Sequence, residues 1–177
     1  MERGDILETS LTKKQVRNNL LKIVAFIWVV FQLYIAFFIG VPTIVKRSIH
    51  VALASSIVFL LKPFTKHDDK NYTFILDMIF SVFFIVAALY SFYHGERFLT
   101  RMQYIDKVFP MDLIIGVVFI VLLIEACRRT LGIGMTVVVL VFTGYVFFGS
   151  NLPGVFAHRG IDLKSFVELQ FMTTNGI

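Results

Sequence analysis

Residues 113–149 read LIIGVVFIVLLIEACRRTLGIGMTVVVLVFTGYVFFG, two apolar runs parted only by Arg128, Arg129 and Thr130. The runs, Leu113 to Cys127 and Leu131 to Gly149, approach the roughly 20 apolar residues that carry a helix across a bilayer core. Neither alternates with a period of two, as a strand of an outer-membrane barrel would. Backbone groups in hydrocarbon must bond within their own segment, so both runs are expected as helices. Working back along the chain, Phe74 to Tyr93, Ser48 to Leu61 and Ile23 to Gly40 repeat the pattern. The run from Ser48 is short and spans only if Lys46, Arg47 and Lys62 snorkel outward. The expected fold is all-α: a polytopic membrane bundle of about five transmembrane helices with a further helix at the C-terminal end.

Composition agrees. Of 177 residues, 57% are hydrophobic, 20 are Phe and the mean hydropathy is +0.79. Charged residues make up 16%, against about 25% in a soluble domain. A soluble globule and a disordered chain are both excluded. Cys127 is the one cysteine, so no disulfide framework exists. The net charge of +5 then bears on topology and on an anionic lipid surface, not on nucleic acid. No loop or tail reaches the roughly 40 residues an independent domain needs, so no extramembrane catalytic domain is expected.

The N-terminus does not read as a cleavable signal. Glu2, Asp5 and Glu8 lie among its basic residues, and Val41-Pro42-Thr43, not a small-residue cleavage site, follows the first run. Thr12-Lys13-Lys14-Gln15 fits a capping box, so a helix is expected to begin at Thr12. Residues 1–22, with Lys13, Lys14, Arg17 and Lys22, read either as an interfacial entry helix on an anionic leaflet or as a solubilising basic tail. With the N-terminus inside, ten Lys and Arg fall on the inner side and seven on the outer. That bias favours a cytoplasmic N-terminus.

Ionisable residues within spans are the first places to look for function. Asp77 lies four residues into the third run. It reads as a helix-terminal carboxylate favoured by the dipole, or as a partner contact or ion site. Glu125 precedes Arg128 and Arg129 at spacings that pair charges on a helix. That trio is either a membrane-edge ion pair or a hinge and docking point. His50, with no carboxylate nearby in sequence, reads as a packing hydrogen-bond donor. Small residues four apart, Ala52 with Ser56, Ala87 with Ser91 and Gly132 with Thr136, predict close helix contacts. No metal-ligand spacing, phosphate loop or nucleophile elbow occurs, and Gln32, Ser55, Ser56, Ser81, Thr136 and Thr143 come with no evident base. No catalytic, metal or cofactor residue is expected, and the chain does not read as an enzyme.

After the fifth run, Leu152-Pro153-Gly154 signals a turn. Asp162 looks like an N-cap for an amphipathic stretch, Leu163, Phe166, Val167, Gln170 and Phe171, that reads as a helix along the interface. The chain then stops at Thr173-Thr174-Asn175-Gly176-Ile177, which reads as interrupted.

The stretch Glu125-Ala126-Cys127-Arg128-Arg129-Thr130-Leu131-Gly132, with Phe147-Phe148-Gly149, Leu152-Pro153-Gly154, Ala157-His158-Arg159-Gly160 and Thr173-Thr174-Asn175-Gly176-Ile177, resembles the fused membrane permease of tripartite ATP-independent periplasmic (TRAP) transporters, TAXI-type branch. The family usually has an acidic residue where Asn175 stands. The resemblance implies a four-helix small-subunit-like region over 23–129 and the opening of the large transport subunit over 130–177. It implies ion-coupled import of organic anions, with the rest of the large subunit and a periplasmic substrate-binding protein as partners, in a bacterial inner membrane. Substrate sites in the family lie in later helices, so none is carried over to this chain. Outward-side docking candidates are Arg97, Arg101 and Lys107, with Arg159. The alternative is a stand-alone small helical membrane protein with an accessory or assembly role.

Overall fold

The structure, a computed structural model, describes residues 2–38, 40–64 and 71–173. Among the described residues six α-helices follow in order: α1 Glu2–Phe37, α2 Thr43–Leu61, α3 Asn71–Thr100, α4 Pro110–Leu131, α5 Ile133–Phe148 and α6 Leu163–Phe171. The described residues contain no strand. Helices α1 to α5 are each long and apolar enough to cross a membrane, making this an all-helical, multi-pass chain. The Lys66 and Lys70 side of the second loop and the final Thr174-Asn175-Gly176-Ile177 lie outside the described residues.

Several boundaries differ from the sequence expectation: α3 continues past Tyr93 to Thr100, and two helix starts move. Helix α1 runs unbroken from Glu2, so Thr12 does not start it. A capping side chain has value only where N–H groups lack an upstream carbonyl. No proline interrupts residues 2–12, and the preceding turns supply those carbonyls. Helix α2 begins at Thr43, five residues before the apolar run, and carries Lys46 and Arg47 in its early turns. Pro42 sets this start, since its carbonyl accepts the Lys46 N–H at 3.0 Å.

The chain forms two compact units, Met1–Phe92 and Tyr93–Ile177, with the division inside α3. The α4–α5 turn is internal to the second unit.

In the first unit α1 and α2 form an antiparallel pair. Val24, Leu53 and Leu60 make its core, with Leu20, Leu21, Trp28, Phe31, Ile49 and Ile57 around them. Ala52 and Ser56 are fully buried, as their spacing predicts. The Ser56 hydroxyl donates to the Ser81 carbonyl of α3 at 3.0 Å, a contact that needs close backbones. The Phe59 ring packs beside it against Phe80 and Phe84, with centroids 5.4 and 5.8 Å away.

In the second unit Pro110 opens α4 at a position where its missing N–H costs nothing. Gly132, at φ 86°, ends α4 and lets α5 begin one residue later. After α5 the chain folds back on itself. The His158 N–H donates to the Gly149 carbonyl at 3.1 Å, and the Ile161 N–H to the Val146 carbonyl at 3.2 Å. Gly154 takes φ 65° in the predicted turn. Asp162 then stands at the N-cap of α6, where the neighbouring Ser165 hydroxyl holds its carboxyl below the usual range. The apolar face of α6 meets protein. Val167 and Phe171 lie against Gly116 of α4, Phe171 packs on Phe119 at 5.3 Å, and Phe166 on Phe147 at 4.9 Å.

Candidate functional site

Two of the expected docking arginines, Arg97 and Arg101, are held in ion pairs. Arg97, in the last turn of α3, donates to the Asp112 carboxylate at 2.5 Å. Its guanidinium also lies 4.8 Å from the Phe109 ring centroid, within cation–π range. Asp112 is 1% exposed. Its second oxygen accepts the Phe109 N–H at 3.3 Å, half of a capping box for α4.

Arg101, one turn on, reaches a different carboxylate. Its Nη2 lies 3.2 Å from Oε1 of Glu168 on α6, and the two side chains are 9% and 2% exposed. The same Nη2 donates to the Asp106 carbonyl at 2.8 Å. Glu168 Oε1 also accepts the Tyr104 N–H at 2.9 Å. The Asp106 carboxylate in turn accepts the Met102 N–H at 2.7 Å. Tyr104 sits at φ 65°, a left-handed conformation that a bulky residue rarely adopts. These bonds tie the α3–α4 loop and α6 into one buried clamp. A buried carboxylate with no partner would be costly, so each of the two buried acids, Asp112 and Glu168, is matched to an arginine and to a backbone N–H.

A depression of about 340 Å³ opens beside the clamp, lined by Arg97, Arg101, Lys107, Asp106 and Asp112. Its charge is mixed. Arg159 lies apart, lining a hollow with Tyr104 and Asp162.

The remaining sequence candidates fall elsewhere. Arg128 binds both oxygens of Glu125 at 2.7 Å, and Arg129 Nε donates to the same carboxylate at 2.8 Å. Arg128 is 38% exposed and Arg129 only 3%. The three side chains are ion-paired at the spacing expected, with a net charge of +1. Asp77 is fully buried and accepts the Phe64 N–H at 3.3 Å, so it fastens the chain that leaves α2. His50 accepts at Nδ1. The Trp28 indole N–H donates to its Nδ1 at 3.3 Å, and the Gln32 amide lies on the same nitrogen. Since indole nitrogen can only donate, the ring proton belongs on Nε2.

Asp112 and Glu168 are the residues that sequence reasoning missed. Phe109-Pro110-Met111-Asp112 is a helix-start signature with an acid at the third position. Glu168 lies between Val167 and Phe171 in sequence but off the apolar stripe of α6, so its position on the helix does not mark it as buried.

Among the described residues no group of three His, Cys, Asp or Glu could hold a metal ion. No protein-family model, curated protein or solved structure matches the chain.

Proposed function

We propose that the chain is the membrane scaffold portion of a TRAP-type fused permease, working with the rest of the large subunit and a periplasmic substrate-binding protein in organic-anion uptake. The observation that carries this reading is the junction at Glu125–Gly132. The motif that resembles the fused permeases falls where α4 passes into α5 through a single glycine, with no loop between. A linkage of that kind transmits no slack between the helices it joins. The role is mechanical: helices that stay fixed while a transport domain moves against them. The clamp fits it, because an ion pair buried on both sides, Arg101 with Glu168, holds α6 in one position. The excess of Lys and Arg on the N-terminal side supports an inner-membrane orientation with a cytoplasmic N-terminus.

With Arg101 committed to Glu168, exposed Lys107 and Arg159 are the stronger docking candidates for a binding protein. The test begins by sequencing the DNA past the Ile177 codon. A continuing or adjacent frame encoding further spans is expected. In that complete unit, Lys107→Glu with Arg159→Glu should weaken binding-protein affinity while leaving assembly intact. A stop codon followed by nothing related would overturn the permease reading and favour the stand-alone accessory protein.

A further inference from the structure

A crevice of about 290 Å³ runs between α4 and α5. Ile120, Leu123, Ile124 and Cys127 of α4 form one wall, and Val139 and Thr143 of α5 the other. The Thr143 hydroxyl is turned onto its own helix, donating to the Val139 carbonyl at 2.8 Å. No charged side chain lines the crevice. From Ile120 to Cys127 it follows α4 for about 10 Å, at 1.5 Å per residue.

Its two ends differ. Helix α6 meets α4 at Gly116 and Phe119, beyond Ile120, so Phe166 and Gln170 close that end. At the other end the α4 row Ile120, Ile124 continues one turn to Arg128, because residues four apart share a helix face. There the Glu125, Arg128 and Arg129 trio carries a net charge of +1 with Arg128 still 38% exposed. An apolar slot inside two membrane-spanning helices, with a cationic edge where those helices reach the headgroups, is the shape of a phospholipid. Its positive edge selects an anionic one.

We propose that this crevice holds one acyl chain of an anionic phospholipid, with its phosphate against Arg128. The site does not depend on the transporter reading.

The test uses the full chain in detergent, titrated with phosphatidylglycerol or phosphatidylcholine and followed by native mass spectrometry. Phosphatidylglycerol should bind about fivefold more tightly, the effect of one cation near the surface. Leu123→Trp fills the crevice and should weaken phosphatidylglycerol binding more than about tenfold, since several methylenes lose their contacts. Val139→Phe fills it from the other wall and should do the same, which guards against misfolding of either variant. Arg128→Gln should reduce phosphatidylglycerol binding to the level of phosphatidylcholine. Cys127, the only thiol, should react more slowly with an apolar maleimide when phosphatidylglycerol is bound. Equal binding of the two lipids, crevice-filling variants that are well folded and bind as the wild type does, or displacement of the lipid by inorganic phosphate alone would each overturn the proposal.

Discussion

Removing the Glu168 carboxylate should release α6. In Glu168→Ala, the Arg101 guanidinium, 9% exposed, loses its ion-pair partner and the Tyr104 N–H loses its acceptor. Breaking a buried pair from one side costs about 3–5 kcal/mol. The depression beside Arg101 admits water, and the Asp106 carbonyl still accepts from it. Both place the cost at the lower end, about 3 kcal/mol. Local opening of α6 is then favoured by about a hundredfold, since each factor of ten is about 1.4 kcal/mol. Hydrogen exchange read by mass spectrometry measures this directly. Protection of the α6 amides should fall by about two orders of magnitude, while those in α1 and α2 stay unchanged. Arg101→Leu alone should do similar damage by stranding Glu168. The double variant Arg101→Leu with Glu168→Leu should be milder than either, because no buried charge is left alone. A fall in protection of under about threefold in Glu168→Ala, or strictly additive single effects, would refute the clamp.

Gly116→Ala places a Cβ into Val167 Cγ1 and against Phe171. It should cost about 1–3 kcal/mol of α6 docking by overpacking, with Val167→Ala restoring it in the same exchange experiment. Gly149→Ala would overlap the His158 imidazole. It should lower thermal stability, and His158→Ala should recover part of the loss. Ser56→Ala removes the hydroxyl bonded to the Ser81 carbonyl. It should cost about 0.6 kcal/mol, the average for a hydrogen bond between membrane helices, measured by unfolding in mixed micelles. Tyr104→Asn keeps the N–H that Glu168 uses and relieves the left-handed strain. It should raise stability by about 1 kcal/mol in the same assay.

The spans were legible because hydrocarbon imposes one rule on every residue of a run, so composition alone locates them. Their ends were less so. The stretch from Ser48 looks too short because Lys46 and Arg47 interrupt the apolar count. The helix nevertheless begins at Thr43, since backbone bonding starts where Pro42 permits it and charged stems can reach out of the membrane. Thr12 fails as a start for the converse reason. A local capping signal does not end a helix whose upstream residues can also be helical.

The candidate site divides along a similar line. Glu125 with Arg128 and Arg129 is a pair within one helix, and spacing of three and four residues states it outright. The Arg101–Glu168 pair spans 67 residues of sequence and exists only because α6 returns to the α3–α4 loop. Read alone, α6 is an amphipathic surface helix, and its one carboxylate belongs to the wet side. Packing reverses that assignment. Once Val167 and Phe171 seat against Gly116, Glu168 between them is carried inward and must find a cation there. Arg101 is positioned to be that cation, so an arginine that the sequence offers to an outside partner is used inside. Gly116 and the Arg101–Glu168 pair therefore form one device. The glycine lets α6 approach closely enough to bury the acid, and the arginine makes that burial tolerable.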